Sequence, residues 1–180
     1  MSGDPVRAPA TGRKMLWWAI PCLAFLAGCV QWSERASAAR GAPARPIPNR
    51  AEADDAFRAV NRERIRRGLL PLVRRPDLDA VAQLHARDLA AMDRLSHISS
   101  DGRQLERRLS GLDWVWAGEN LARNKGFDHP AAEAVRGWLE SPRHRENMFR
   151  PDFSQAGVAA LYDPADGFTY LVQVFIIPAG

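Results

Sequence analysis

QAGVAALYDPADGFTYLVQVFII (Gln155–Ile177) decides the architecture of this chain. Two apolar runs rich in β-formers, QAGVAALY and FTYLVQVFII, flank DPADG, a cluster of turn residues. That arrangement predicts an antiparallel hairpin. Upstream the period changes. Residues 51–67 place Phe57, Val60, Arg64 and Ile65 on one side and end at Gly68, a residue suited to a helix C′ position. Pro71 keeps LLPLV extended. Asp77, after Pro76, is the expected cap of a second helix with the stripe Leu78, Val81, Ala82, His85, Leu89 and Met92. SHISSDG reads as a loop and RQLERRL as a short helix. WAGENLA (residues 116–122) reads as a further strand. Pro130 opens a third long helix with Ala131, Ala134, Val135 and Trp138 along one face, and Ser141-Pro142 ends it. Helices first and strands mostly last predict an α+β domain, with helices packed on a small antiparallel sheet.

The domain occupies only part of the 180 residues. RKMLWWAIPCLAFLAGC has a basic start and then an apolar run from Met15 to Leu26, too short for a comfortable membrane span and suited to a secretory signal. It closes on Leu26-Ala27-Gly28-Cys29, which resembles a bacterial lipobox. Residues 1–28 are therefore expected to be a lipoprotein signal peptide, and Cys29 a lipidated N-terminus carrying acyl chains such as palmitate. The alternatives are a secreted soluble protein cut after Ala36-Ser37-Ala38, which would leave Glu34 and Arg35 awkwardly between apolar run and cut, and an uncleaved anchor. Residues 29–50, rich in Ala, Arg and Pro, read as a tether whose arginines suit anionic headgroups. Residues 51–180 form the expected globular domain.

Charge follows the same division. The chain is +4, but seven of its 25 basic residues and only two of its 21 acidic ones lie in residues 1–50. Residues 51–180 are left with 18 basic against 19 acidic, a net −1. A near-neutral domain lacks the basic field that nucleic-acid binding needs. Arg62, Arg64, Arg66 and Arg67 read as a solvated helix face. The only cysteines are Cys22, inside the apolar run, and Cys29. The domain thus has no disulfide, thiolate metal site or cysteine nucleophile.

Of four histidines, His85 lies on an apolar stripe and reads as a half-buried packing residue, and His129 as a loop residue at a helix start. His97 and His144 are read as loop histidines beside regular elements, where functional side chains concentrate. Glu119 stands inside the apolar VWAGENLA. A buried ionised carboxylate must be paired or hydrogen-bonded, which a site and a structural network satisfy equally well. No H-E-x-x-H, G-x-S-x-G or Walker motif is present.

Four pieces then stand in order. They are Asn61-x-x-Arg64-x-x-x-Gly68-Leu69-x-Pro71-Leu72; His85-x-x-Asp88-Leu89-Ala90 leading to Ser96-His97 and Asp101-Gly102; Gly118-Glu119-Asn120-Leu121-Ala122; and Trp138-Leu139-x-Ser141-Pro142-x-His144-Arg145-x-Asn147-Met148, with Phe153 and Gly157-Val158 behind. The set resembles the bacterial branch of the CAP superfamily (cysteine-rich secretory proteins, antigen 5, pathogenesis-related proteins), whose domain is also called SCP. The resemblance covers about residues 54–177. It implies a three-layer α-β-α sandwich and a cleft with two histidines, His97 and His144, and an acidic partner, Glu119. Eukaryotic members often carry a second glutamate where this chain has Ser141, so the cluster is reduced, with Ser141 at the cleft in its place.

Two neutral imidazoles can hold Zn²⁺ with positions open to water, and Glu119 can orient one of them. The expected metal ligands are His97 and His144. The family is better known for binding sterols, lipids, metals or proteins than for one reaction. The expectation is a membrane-anchored, non-enzymatic domain whose cleft (His97, Glu119, His144, Ser141) binds a small-molecule, lipid or protein ligand. The rival is a metal-assisted hydrolase acting on cell-envelope peptide or another extracellular polymer, with His97, Glu119 and His144 as the catalytic candidates. The Ser-Pro break is expected to turn His144 inward, with Arg143 and Arg145 at the rim.

Overall fold

A computed structural model describes residues 44–180; the expected signal peptide, Cys29 and the expected tether as far as residue 43 lie outside the described residues. The elements run β1 (Ile47–Pro48), α1 (Arg50–Arg66), β2 (Val73–Arg74), α2 (Pro76–Met92), α3 (Leu105–Arg108), β3 (Trp116–Lys125), α4 (Pro130–Glu140), α5 (Pro142–Phe149), β4 (Gln155–Asp163) and β5 (Phe168–Ile177). The ordered fold begins before residue 51: Ile47 and Pro48 pair with Tyr162 and Leu161, and Asn49 caps α1 by accepting from the Glu52 amide.

The sheet order is β1-β4-β5-β3, with β2 parallel to β4. The predicted hairpin is present, pairing Asp163 with Phe168 across the turn and Gln155 with Ile176 at its far end. Central β5 is buried on both faces, which is why its sequence is apolar without alternation. Phe175 and Leu171 join Ala156, Val158 and Ala160 against α1 and α4. Val172, Val174 and Ile176 join Ala159 and Leu161 against α2. These two cores make the three-layer α-β-α arrangement. Gly157 lets the start of α2 press onto β4; a Cβ there would stand 2.2 Å from the Leu78 carbonyl carbon.

Four expectations change. Asp77 does not cap α2: Arg75 holds that position without a side-chain bond, Pro76 occupies the first turn, and Asp77 pairs with Arg75. Ile65 is 59% exposed. Arg64, expected on a solvated face, is 1% exposed. It donates to the carbonyls of Leu70, Met148, Arg150 and Phe153 and so ties α1 to the segment leading into β4. Asn61 holds Leu72 by both its N–H and its carbonyl. Helix period alone places Arg64 beside Val60; only the fold supplies the carbonyls that make its burial tolerable. His85 is fully buried rather than half-buried.

Candidate functional site

Strand β3 ends the sheet, so one of its edges is free of strand pairing. Its two-residue period sends neighbouring side chains to opposite faces. Glu119 points to the α2–α3 side, and Gly118 and Asn120 to the α4–α5 side. Consecutive residues of one strand thus organise both walls of a cleft.

On the first wall Glu119 has a 2% exposed side chain. Its Oε1 lies 2.8 Å from His97 Nδ1. Arg108 donates to Oε2 at 2.7 Å and to Oε1 at 3.1 Å, and also to the His97 carbonyl at 3.2 Å. Burial alone would raise the Glu119 pKa, but the His97 hydrogen bond and the Arg108 guanidinium outweigh it and hold the carboxyl below its ordinary value. An ionised Glu119 only accepts, so His97 Nδ1 carries the proton and Nε2 keeps its lone pair. The His97 side chain is 61% exposed, leaving that lone pair open to the cleft.

Behind it His85 braces the loop that carries His97. Its Nε2–H donates to the Ser96 carbonyl at 2.9 Å, and Nδ1 accepts from the Ser99 hydroxyl at 3.2 Å. The nearest Glu119 oxygen is 3.8 Å from Nε2. Burial pushes the His85 pKa down, further than Glu119 raises it, and the ring stays neutral.

The second wall is held together by uncharged groups. Ser141 leaves the helical region (φ −86°, ψ 120°) and Pro142 starts α5 at once. His144 therefore sits in the first turn of a helix and not in a loop; the residue before proline breaks one helix while proline itself opens the next. Asn120 donates to the His144 carbonyl at 3.0 Å. Asn147 donates to Asn120 Oδ1 at 3.0 Å and to the Glu119 carbonyl at 3.2 Å. Gly118 makes room for Asn147, whose Oδ1 would be 2.8 Å from a Cβ at that position. Burial lowers the His144 pKa, and a protonated His97 would lower it further.

His97, Glu119 and His144 line one cleft of about 540 Å³, with Arg143 and Asn147 on its wall. Ser141 lines an adjoining depression of about 300 Å³ that shares His144. Among the described residues no three His, Cys, Asp or Glu side chains converge as a metal site. Glu119 is occupied by Arg108 and His97, which leaves the imidazoles of His97 and His144 as the cleft's nitrogen donors. His129 precedes α4 and lines neither cavity. Sequence reasoning did not single out Arg108 or the bracing role of His85. A signal for Arg108 existed: a buried carboxylate demands a cation, and Arg107-Arg108 stands a short way upstream.

Residues 57–175 match the family model described as the cysteine-rich secretory protein family, CAP. An uncharacterised membrane protein of Bacillus subtilis, YlbC, is 36% identical over 97 residues, covering 53% of this chain and 27% of that protein. The chain thus spans little more than a quarter of that relative. An extracellular protein containing an SCP domain from Bacillus anthracis superposes with a TM-score of 0.63 at 29% identity, covering 71% of this chain and 40% of that one. An outer surface protein of Borrelia burgdorferi shares the fold, with a TM-score of 0.66 at 21% identity, covering 74% and 97%. No described helix is long and apolar enough to cross a membrane.

Proposed function

The chain belongs to the CAP family, and from that premise we propose that it is an extracytoplasmic domain, tethered to a bacterial membrane by a lipid on Cys29, that binds a ligand in the His97–Glu119–His144 cleft. The observation that carries the binding reading is the commitment of Glu119. Its carboxylate is neutralised by Arg108 and orients His97, and no serine, threonine or cysteine lines the cleft to act as a nucleophile. The polar groups hold two imidazoles in place, and aliphatic groups from Ile98, Leu105 and Ala117 complete the wall. Such a mix of an apolar wall and a few fixed polar groups suits a ligand site.

Zinc is compatible as a weak guest. His97 Nε2 and the His144 ring are the donors, and Glu119 would fix the His97 tautomer. Bound there, the metal would supply Lewis-acid chemistry with positions left for water. A second reading, a hydrolase acting on envelope peptide, is favoured by the His97–Glu119 pair, in which an oriented imidazole with a free Nε2 can serve as a general base.

A histidine-observed NMR titration of the full chain with envelope lipids, blocked peptides and zinc tests these readings. The ring signals of His97 and His144 shift under the binding reading, with no product formed. Turnover of a peptide or ester that vanishes in a folded His144→Ala variant selects the hydrolase instead. For the anchor, palmitate labelling disappears in Cys29→Ser; labelling that survives that change refutes lipidation at Cys29.

A further inference from the structure

The face of α4 turned toward β3 carries Glu133, Gly137 and Ser141 at intervals of four residues, and these three line the depression beyond His144. Four observations connect that depression to the cleft. His144 lines both cavities, so the two adjoin at that residue. Leu95 and Ile98 flank His97 in the same loop; both are exposed, one lining each cavity, so the opposite wall is continuous too. Gly137 sits inside α4, where glycine costs about 0.5–1 kcal/mol relative to alanine. A Cβ there would meet nothing within 4 Å, so no close packing requires the glycine, and its bareness leaves the depression open. Asn124, 9% exposed, also lines the depression, and its amide donates to the Pro130 carbonyl at 2.9 Å, tying β3 to the start of α4 beside it.

The groove follows β3 from Ala117 to Asn124, about 23 Å at strand rise, which matches an extended chain of roughly seven residues. Its occupant does not join the sheet at the centre, because the Glu119 carbonyl is taken by Asn147 and the Leu121 carbonyl by Trp138 Nε1. Among its polar lining residues stand aliphatic side chains on both sides of His144, Ile98 and Leu105 in the cleft and Leu95, Leu121 and Ala134 in the depression. The one aromatic residue there, Trp138, is buried and offers no face for a sugar to stack on. Aliphatic pockets with no exposed aromatic face suit peptide rather than glycan.

We propose that the depression over Gly137 is a second subsite of the His97–His144 groove, and that the groove binds an extended peptide with one side chain on each side of His144. This rests on the cleft being a ligand site. The test is an amide-observed NMR titration of the full chain with three probes: a blocked pentapeptide carrying leucine at its second and fourth positions, N-acetyl-leucine methylamide, and a tetramer of N-acetylglucosamine. The pentapeptide is expected to shift Ile98 and Ala117 in the cleft together with Gly137 and Ser141 in the depression. In Gly137→Leu the second set of shifts disappears and binding weakens about tenfold, the effect of losing one buried aliphatic contact. Gly137→Ala, which adds one methyl to open space, keeps both sets and separates helix stabilisation from filling of the pocket. Shifts confined to the cleft, or equal affinity in Gly137→Leu, overturn the subsite and leave the cleft reading standing. A tetramer that occupies both cavities where the peptide occupies neither overturns the peptide assignment. No shift in either cavity from any probe also overturns the proposal, and the cleft reading is then decided by the His97 and His144 ring signals in the lipid and zinc titrations.

Discussion

Arg64 and Arg108 are both buried guanidiniums, and they are held in opposite ways. Arg64 meets no carboxylate and spends its donors on four backbone carbonyls. Arg108 meets Glu119 through two hydrogen bonds and reaches the carbonyl of His97. The first keeps its charge uncompensated and knits chain segments together. The second neutralises the buried acid of the cleft and fixes the ring beside it. A buried charge that serves architecture can thus be told from one that serves a site by whether its partners are backbone groups or another titratable side chain.

The largest effect is expected at Arg64. Arg64→Met strands the carbonyls of Met148 and Phe153, whose bonds are buried, and frees two that are part-buried, and is expected to cost about 3 kcal/mol in urea unfolding. The His97 and His144 ring signals of the molecules that remain folded are unchanged. A cost below about 1 kcal/mol would break the contrast, because surface changes are that small.

Arg108→Met comes next, leaving an unpaired carboxylate in a buried position at a cost of about 3 kcal/mol. Adding Glu119→Gln removes the charge and should restore most of that stability. Ligand response at His97 stays lost, because the amide no longer fixes the Nδ1–H tautomer in the same way. Strictly additive costs in the double-mutant cycle would show that the two side chains are not coupled.

Proton linkage sharpens the contrast at smaller scale. His85 and His144 both have pKa values lowered in the fold from an ordinary 6.5. As pH falls through that value, the unfolded chain takes up protons that the folded one refuses, so stability declines below about pH 6.5 and is fully present above it. His144→Ala removes its share of the slope and leaves that of His85, measurable as stability against pH between 5 and 7 by chemical denaturation, roughly the window in which histidine titrates. Arg64→Met leaves the slope intact.

The smallest effect concerns Gln173, fully buried on β5 opposite Asn120, with neither amide atom partnered. Gln173→Met removes an unsatisfied amide from the core under the second wall and is expected to stabilise by about 1 kcal/mol. A loss of stability in that variant would mean that the amide has a partner such as a buried water.

Much of the fold was legible because it is periodic. The hairpin showed in the alternation of apolar runs around DPADG, and the start of α4 in Pro130. The α-β-α layering came from the resemblance rather than from any single period. Asp77 misled because its type suits a cap, while the chain direction set by Pro76 placed the cap two residues earlier, at Arg75. Arg64 misled because its charge argues for water, while its partners are carbonyls as many as 89 residues away. His97, Glu119 and His144 could be named as candidates in advance, but not Arg108, which meets Glu119 only after the turn between α3 and β3 folds back.

The sequence by itself determined the three long helices, the hairpin, the break that ends α4, and the family to which the chain belongs, because local periods and punctuating prolines act over a few residues. Tertiary structure alone decided which charges are buried together. It decided that one strand edge serves two walls, that Arg108 neutralises Glu119, and that Ser141 faces a cavity across His144 from His97. These depend on contacts between distant segments, whose energies arise only once water has been excluded from between them.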